Sequence, residues 1–379
     1  MRNPVSARQF EFKMEVYQYI ASGTLGIMLA FLVASCMPYT NLPSEIWYIS
    51  GVEEIDTVNP ATAQRKIIVP SQPDILLGAA TFSPDHTHIA YGSGPISSYA
   101  IWLTNLNGTN PRKISRDFLA VNFFWLDHQN LVIMGSNHNR TWPEDGEWWL
   151  YNLSTQRLQR MIPSLNHYVS CLQMAPATMQ TGRVPFPGGE GILGHWEIRD
   201  NMIRAVSDIE YLPGQPQAVA CPTWTPDGQK VAYIAETIPD RVRDIFLITD
   251  QGRSYSQLTY FADQYTMAWF YADVSLSPDG NWIVGVADLV GAHSRELTEG
   301  RQLILINTQT KKIEFLGESG LPGEGFFWSP DSRYAAASLP TRGSDKNNRG
   351  GEIHLIDVQA KKIKQITFDG ESKEIIGWR

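Results

Sequence analysis

The stretch WTPDGQKVAYIAE, residues 224–236, sets a Pro-Asp-Gly turn between an aromatic residue and an alternating apolar run. Asp227 is either a chemical group, such as a ligand or an acid, or part of a bend that the chain must make. The stretch recurs as FSPDHTHIAYGS from Phe82, WLDHQNLVIMGS from Trp125, LSPDGNWIVGVA from Leu276 and WSPDSRYAAASL from Trp328. VSCLQMAP around Cys171 matches VACPTWTP around Cys221, which adds a worn copy at Met174, and the terminal EIIGWR adds a truncated one at Trp378. The anchors 82, 125, 174, 224, 276, 328 and 378 stand 43 to 52 residues apart. A structural turn recurs at such a pitch, whereas an active site needs one asymmetric cluster. Pro fixes φ for the first turn position, Asp bonds the backbone two residues on, and Gly accepts a left-handed conformation. Asp85, Asp127, Asp227, Asp279 and Asp331 are therefore read as bends, and PDGN lacks the alternating oxygen ligands of a calcium loop.

Each unit has a second half, in AIWLTNLNGTNPRKIS, EWWLYNLSTQRLQRMI, DIFLITDQGRSYSQLT, QLILINTQTKKIEFLG and EIHLIDVQAKKIKQIT. Alternating apolar and β-branched residues around Asn, Asp and Gly turns read as hairpins, so each unit is a four-stranded antiparallel sheet. Units of this length with four strands are the signature of propeller blades. The expected fold is an all-β, seven-bladed β-propeller over residues 44–379, with six blades left open by the worn unit between about 164 and 216. EIIGWR supplies one inner strand and SEIWYISGVEEIDTVNPATAQRKIIV, from Ser44, supplies three more. Pairing of the N- and C-terminal strands is expected to close the ring and remove an open edge.

The N-terminus carries Arg2, Arg8 and Lys13 ahead of the apolar run IASGTLGIMLAFLVASC, Ile20 to Cys36. The run is short for a bilayer span, which needs about 20 residues, and has the length of a signal-peptide core. Val33-Ala34-Ser35-Cys36 resembles the lipobox of bacterial lipoproteins, in which the Cys is lipidated and heads the mature chain. Residues 1–36 are expected to be a signal peptide with its lipobox Cys36, and 37–43 a short tether. An uncleaved membrane anchor and a buried apolar helix stay open. Either tethered reading puts the repeats outside the cytoplasm, in the periplasm or on the outer cell surface.

Composition narrows the function classes. A net charge of −8 leaves no basic stripe for a nucleic acid. Phosphate-loop, dinucleotide, HExxH, CxxC and GxSxG motifs are missing, so no cofactor and no catalytic residue is assigned. With Cys171 and Cys221 alone beyond Cys36, the fold rests on its core, and two buried thiols are expected over a disulfide between neighbouring blades. Asp85-His86 and Asp127-His128 occupy matching turns with His88 close by, but one blade spacing exceeds ligand distance, and no metal site is assigned. His138 and His195 read as solvated loop residues.

The repeated [FW]SPD-G-x-x-[IV]-A pattern resembles the WD40-like PD40 repeat of TolB-type periplasmic propellers, over nearly all of residues 44–379. The resemblance implies the fold and leaves function open, because such propellers serve as binding proteins, scaffolds, lyases and the non-catalytic half of peptidases. It extends neither to an α/β domain ahead of the repeats nor to a hydrolase domain after them, so a non-enzymatic propeller is expected.

A partner is expected on the face where the loops between second and third strands meet the connections between blades. Long loops there are NHNRTWPEDGE from Asn137, TIPDRVRD from Thr237, LVGAHSRELTEGR from Leu289 and PTRGSDKNNRGGE from Pro340. The connection YFADQYTMAWFYAD, residues 260–273, is aromatic, with about two-thirds of those rings expected in strand and core. Arg140, Trp142, Arg241, Arg243, Tyr265, Trp269, His293, Arg295 and Arg342 make the candidate face, and GRVPFPGGEG, residues 182–191, reads as an insertion extending it. Aromatic and arginine side chains are enriched at protein interfaces. The function expected is a protein-interaction or scaffold module of the cell envelope. Glycan binding or cleavage, and an accessory subunit of a larger membrane complex, stay open.

Overall fold

The computed structural model describes residues 45–51, 53–72, 76–95, 98–118, 120–136, 147–163, 183–188, 192–199, 202–206, 222–239, 241–249, 254–270, 274–320, 322, 325–340 and 351–379. The expectations for residues 1–44 including Cys36, and for Cys171, Cys221, Arg140, Trp142 and Arg342, lie outside the described residues.

The described residues are all-β apart from one 3-10 turn at Phe261–Asp263. β1 (Ile46–Ser50), β2 (Glu54–Val58) and β3 (Arg65–Val69) form an antiparallel meander, followed by β4 (Leu76–Phe82), β5 (His88–Gly94), β6 (Ala100–Asn105) and β7 (Arg112–Lys113) in a second sheet. β8 (Ala120–Trp125), β9 (Asn130–Ser136), β10 (Glu147–Asn152) and β11 (Arg157–Pro163) make a four-stranded run, which β12 (Arg183–Gly188), β13 (Ile192–Arg199) and β14 (Met202–Val206) extend through a parallel β11–β14 contact. Next come β15 (Thr223–Trp224), β16 (Val231–Ile238), β17 (Val242–Thr249) and β18 (Ser254–Gln257). β19 (Tyr265–Phe270) joins that group to β20 (Ser275–Leu276), β21 (Trp282–Ala292), β22 (Gly300–Asn307) and β23 (Ile313–Glu318). β24 (Phe326–Trp328), β25 (Tyr334–Leu339), β26 (Glu352–Asp357) and β27 (Lys362–Gln365) form the last sequential sheet. β28 (Lys373–Trp378) returns to pair antiparallel with β1, giving the order β28-β1-β2-β3. The strands fall into five sheets, and none of them closes on itself among the described residues.

The repeat anchors fall at one structural position. Phe82, Trp125, Trp224, Leu276, Trp328 and Trp378 are each the last residue of the first strand of a unit, immediately before a turn or the chain end. The run Leu303–Ile306 in the third strand β22 is apolar at every residue because both faces are covered. Leu303 and Leu305 enter one core cluster with Phe326, Ala335 and Ile356, while Ile304 and Ile306 enter another with Ile245, Phe261 and Ile283. Successive side chains of a strand point to opposite faces, so one strand serves two inter-sheet cores. Trp47, Ile49 and Ile376 of the terminal sheet pack in the same way against Leu77, Ile89 and Tyr91. The Trp47 and Phe82 rings meet edge-on at 5.3 Å, and the Phe82 ring lies where a Cβ on Gly377 would stand. Truncating one such aliphatic residue to Ala costs about 2–5 kcal/mol.

The Pro-Asp turns are uniform. In Ser83-Pro-Asp85, Thr225-Pro-Asp227, Ser277-Pro-Asp279 and Ser329-Pro-Asp331, the hydroxyl donates to the Asp Oδ1 at 2.6 Å. The same hydroxyl accepts the backbone N–H five residues on, at 2.9–3.0 Å. Each Asp Oδ1 also accepts the N–H two residues on, at 3.0–3.2 Å. The residue after each Asp is left-handed: His86 at φ 53, Gly228 at 69, Gly280 at 67 and Ser332 at 60. A non-glycine residue there costs roughly 1 kcal/mol or more, which the turn's hydrogen bonds offset. Burial pushes the Asp227 carboxyl up, but the bonds from Thr225 Oγ1 and Gln229 N outweigh it and hold its pKa below the usual carboxylate range. Asp227 is the keystone of a bend. Asp127 lacks the preceding hydroxyl and instead accepts Gln129 N at 2.7 Å and Asn130 N at 2.9 Å.

Three sequence expectations are corrected here. Residues 183–188 are a strand, β12, paired with β13, where an insertion was expected; β12 lies at the end of its sheet, and an edge strand tolerates Pro185 and Pro187. The 237–244 loop shrinks to a turn between β16 and β17, and the 289–301 loop begins only after Ala292. Pairing with β19 supplies hydrogen-bond partners that keep both hairpins extended.

Candidate interaction surface

β19 stands outside the four-strand pattern. It pairs parallel with β17 through Val242 and Ala268, and antiparallel with β21 from Tyr265–Ala292 to Phe270–Ala287. Its placement depends on Asp244, whose side chain is fully buried. Asp244 Oδ1 accepts Thr259 Oγ1 at 2.7 Å and Phe261 N at 2.8 Å, and Oδ2 accepts Thr237 Oγ1 at 2.8 Å. A buried carboxylate requires such partners, and they fix the 3-10 turn Phe261–Asp263 that leads into β19. Sequence reasoning passed over Asp244, although acidic or amide residues open four of the five quoted third-strand segments, at Glu147, Asp244, Gln302 and Glu352.

Of the aromatic connection, Phe261, Tyr265 and Phe270 are buried, Trp269 is half-buried and Tyr260 is 45% exposed. Tyr265 therefore presents no surface, which corrects its place on the candidate face. Burial and the Glu299 carboxylate raise its phenol above the usual range, and the protonated hydroxyl donates to Thr298 O at 2.9 Å, pinning the 293–299 loop.

Arg243 and Trp269 do come together. The guanidinium carbon lies 3.4 Å from the Trp269 ring centroid, and Arg243 Nη2 lies 3.3 Å from Glu236 Oε1. A cation over an indole contributes about 0.5–2 kcal/mol. Beside it on β19 and β21, Met267 and Val290 face each other in register and are 36% and 42% exposed. Asp288, opposite Trp269, lies 3.9 Å from Arg301. The result is a two-residue apolar step flanked by two arginine–carboxylate pairs. Arg241 is exposed in the β16–β17 turn, and its carbonyl accepts Ala268 N at 3.0 Å. His293 is exposed and tied to the connection by its backbone N–H to Gln264 O at 2.8 Å. Arg295 is exposed on the same loop.

Among the described residues no group of three His, Cys, Asp or Glu side chains is placed to hold a metal ion, and no helix is long and apolar enough to cross a membrane.

Four-stranded antiparallel units succeeding one another along the chain define a β-propeller. Solved structures similar to the chain include TolB and other propellers. TolB from Acinetobacter baumannii is 16% identical, with 89% of this chain and 69% of that one covered at a TM-score of 0.46. The β-propeller domain of the trilobed protease from Pyrococcus furiosus, described as having an open velcro topology, is 13% identical, with 85% and 93% covered at 0.50. An uncharacterised protein from Listeria monocytogenes is 12% identical, with 85% and 91% covered at 0.50. No protein-family profile and no curated protein matches the sequence. At such identities the likeness speaks for the fold alone: the chain has a β-propeller fold.

Proposed function

We propose that the chain is a non-catalytic protein-interaction module of the cell envelope, tethered outside the cytoplasm through Cys36, and that it binds its partner on the surface built around Arg243 and Trp269. The observation that carries this reading is the cation–π stack at 3.4 Å, set on the strand β19 that the repeat does not require. An arginine and a tryptophan held rigid beside exposed apolar side chains have the composition of an interface anchor, where a few such residues carry most of the binding energy. The lipobox sequence supports the tether. A seven-bladed ring belongs to the same reading: β12–β14 supplies a unit between β8–β11 and β15–β18, and β28 joins the end of the chain to β1. A ring closed in this way leaves no frayed seam to compete with partner binding.

Crosslinking and mass spectrometry on intact membranes carrying the native protein tests this, with Arg243→Ala and Trp269→Ala compared at matched melting behaviour. Both variants are expected to lose the same envelope-protein crosslinks. Unchanged crosslinks in both would overturn the surface, and the absence of any protein crosslink would overturn the module reading.

A further inference from the structure

A second feature lies away from β19, in the cleft between the terminal sheet and the β4–β7 sheet. Its volume is about 70 Å³. Trp102, Pro70 and Pro111 wall it, Tyr91 and Ser93 line it from β5, and Glu53 of the β1–β2 turn stands at the rim. Glu53 is its one charged lining residue among the described residues. Lys113, opposite Trp102 in register, is engaged by Asp117 at 2.5 Å.

The polar groups in the cleft are unusual. Tyr91 is 4% exposed and Ser93 8%, two residues apart and so on one face of the strand. Neither hydroxyl has a hydrogen-bond partner among the described residues. Burial pushes the Tyr91 phenol up to about 12, so it stays neutral and offers oxygen lone pairs as well as a proton. Both oxygens therefore open into the cleft and are free to engage a ligand there. Proline and indole walls, neutral oxygen acceptors and a single carboxylate at the mouth match an alkyl stem that ends in a cation.

Size selects among cations. A cavity of about 150 Å³ holds one benzene, so the enclosed part of the cleft, with less than half that volume, takes about three heavy atoms. That is the ammonium-bearing end of a lysine side chain and about half of a six-membered pyranose ring. We propose that this cleft accepts a single lysine side chain from a partner protein, its stem between Trp102 and the prolines and its ammonium among Tyr91 Oη, Ser93 Oγ and the Glu53 carboxylate. This deepens the interaction reading while resting on different residues, so either site can fail without the other.

The test is ligand-observed NMR on the full-length protein with Nα-acetyl-lysine methylamide. Millimolar binding is expected, at least fivefold tighter than for the neutral isostere Nα-acetyl-norleucine methylamide, and at least fivefold weaker in Glu53→Gln. Glu53 is exposed in a turn, so that variant keeps the fold, and Trp269→Ala is expected to bind the probe like the wild type. Equal binding of the two probes, no effect of Glu53→Gln, or tighter binding of a monosaccharide such as galactose in the same cleft would each overturn the assignment. Loss of partner crosslinks with intact probe binding would count against the Trp269 surface alone.

Discussion

The Lys373 ammonium, with none of its side chain exposed, lies 3.4 Å from Glu352 Oε2 and also donates to Glu371 O at 3.0 Å. Lys373 opens β28 and Glu352 opens β26, so a buried ion pair ties the last strand of the chain to the sheet beside it. Asp369 completes the lysine's partners, while Thr367 Oγ1 and Gly370 N donate to Glu352.

Removing one member of that pair is expected to strand the other. Lys373→Met should lower stability by about 3–5 kcal/mol, the usual cost of an uncompensated buried charge. Lys373→Met with Glu352→Gln should recover much of the loss. Urea midpoints of the three proteins check this, and a wild-type midpoint for the single variant would contradict it.

Deletion of residues 374–379 removes the β28 partner of β1, along with Ile375, Ile376 and Trp378, all at most 8% exposed. The melting temperature should fall markedly and the exposed β1 edge should promote aggregation. An unchanged melt would show that the terminal pairing contributes nothing to stability.

Asp56, buried in β2, has its carboxyl pushed up to about 6 by burial, with the Arg65 hydrogen bond opposing and Glu54 adding repulsion. A folded-state pKa above the unfolded value near 4 means the folded protein binds this proton more tightly. Stability from Asp56 is therefore present at low pH and is lost as pH rises from about 4 to about 6. At about 1.4 kcal/mol per pKa unit, the wild type should lose roughly 1–3 kcal/mol relative to Asp56→Asn across that window. A pH-independent difference between the two denaturation profiles would refute the raised pKa.

Ser277 holds three ends of its turn, bonding Asp279 Oδ1 at 2.6 Å and Trp282 N at 2.9 Å through its hydroxyl and Gly280 N at 2.8 Å through its carbonyl. Ser277→Ala and Asp279→Ala should each cost about 0.5–1.5 kcal/mol by removing the turn's hydrogen bonds. Neither should alter envelope crosslinks. A crosslink lost at full stability would return the turn aspartates to the list of functional groups.

The turns were readable because they repeat. Asp227, Asp279 and Asp331 reappear in one sequence context, and the structure gives them one hydrogen-bond set. The hydroxyl two residues before each Asp was equally visible, yet its reach to the N–H five residues on is a property of the folded turn. The candidate surface was half readable. Composition pointed to Arg243 and Trp269 in two different segments, but their stacking depends on β19 joining β17 to β21. Tyr265 has the same composition signal and is buried, because its hydroxyl serves Thr298 instead of solvent.

By itself, the sequence determined the repeat pitch, the all-β class, the position of each bend and the assignment of β28 to the N-terminal sheet. These follow from local chemistry: φ restrictions at Pro and Gly, period-2 patterning, and hydroxyl–carboxylate bonds between near neighbours. Tertiary structure alone decided that residues 265–270 form a bridging strand, that Asp244 anchors its entry, and that Glu53, Tyr91 and Trp102 line one cleft. Those arrangements join segments far apart in the chain, and the energy that fixes them comes from burial and hydrogen bonding between sheets, which no window of sequence contains.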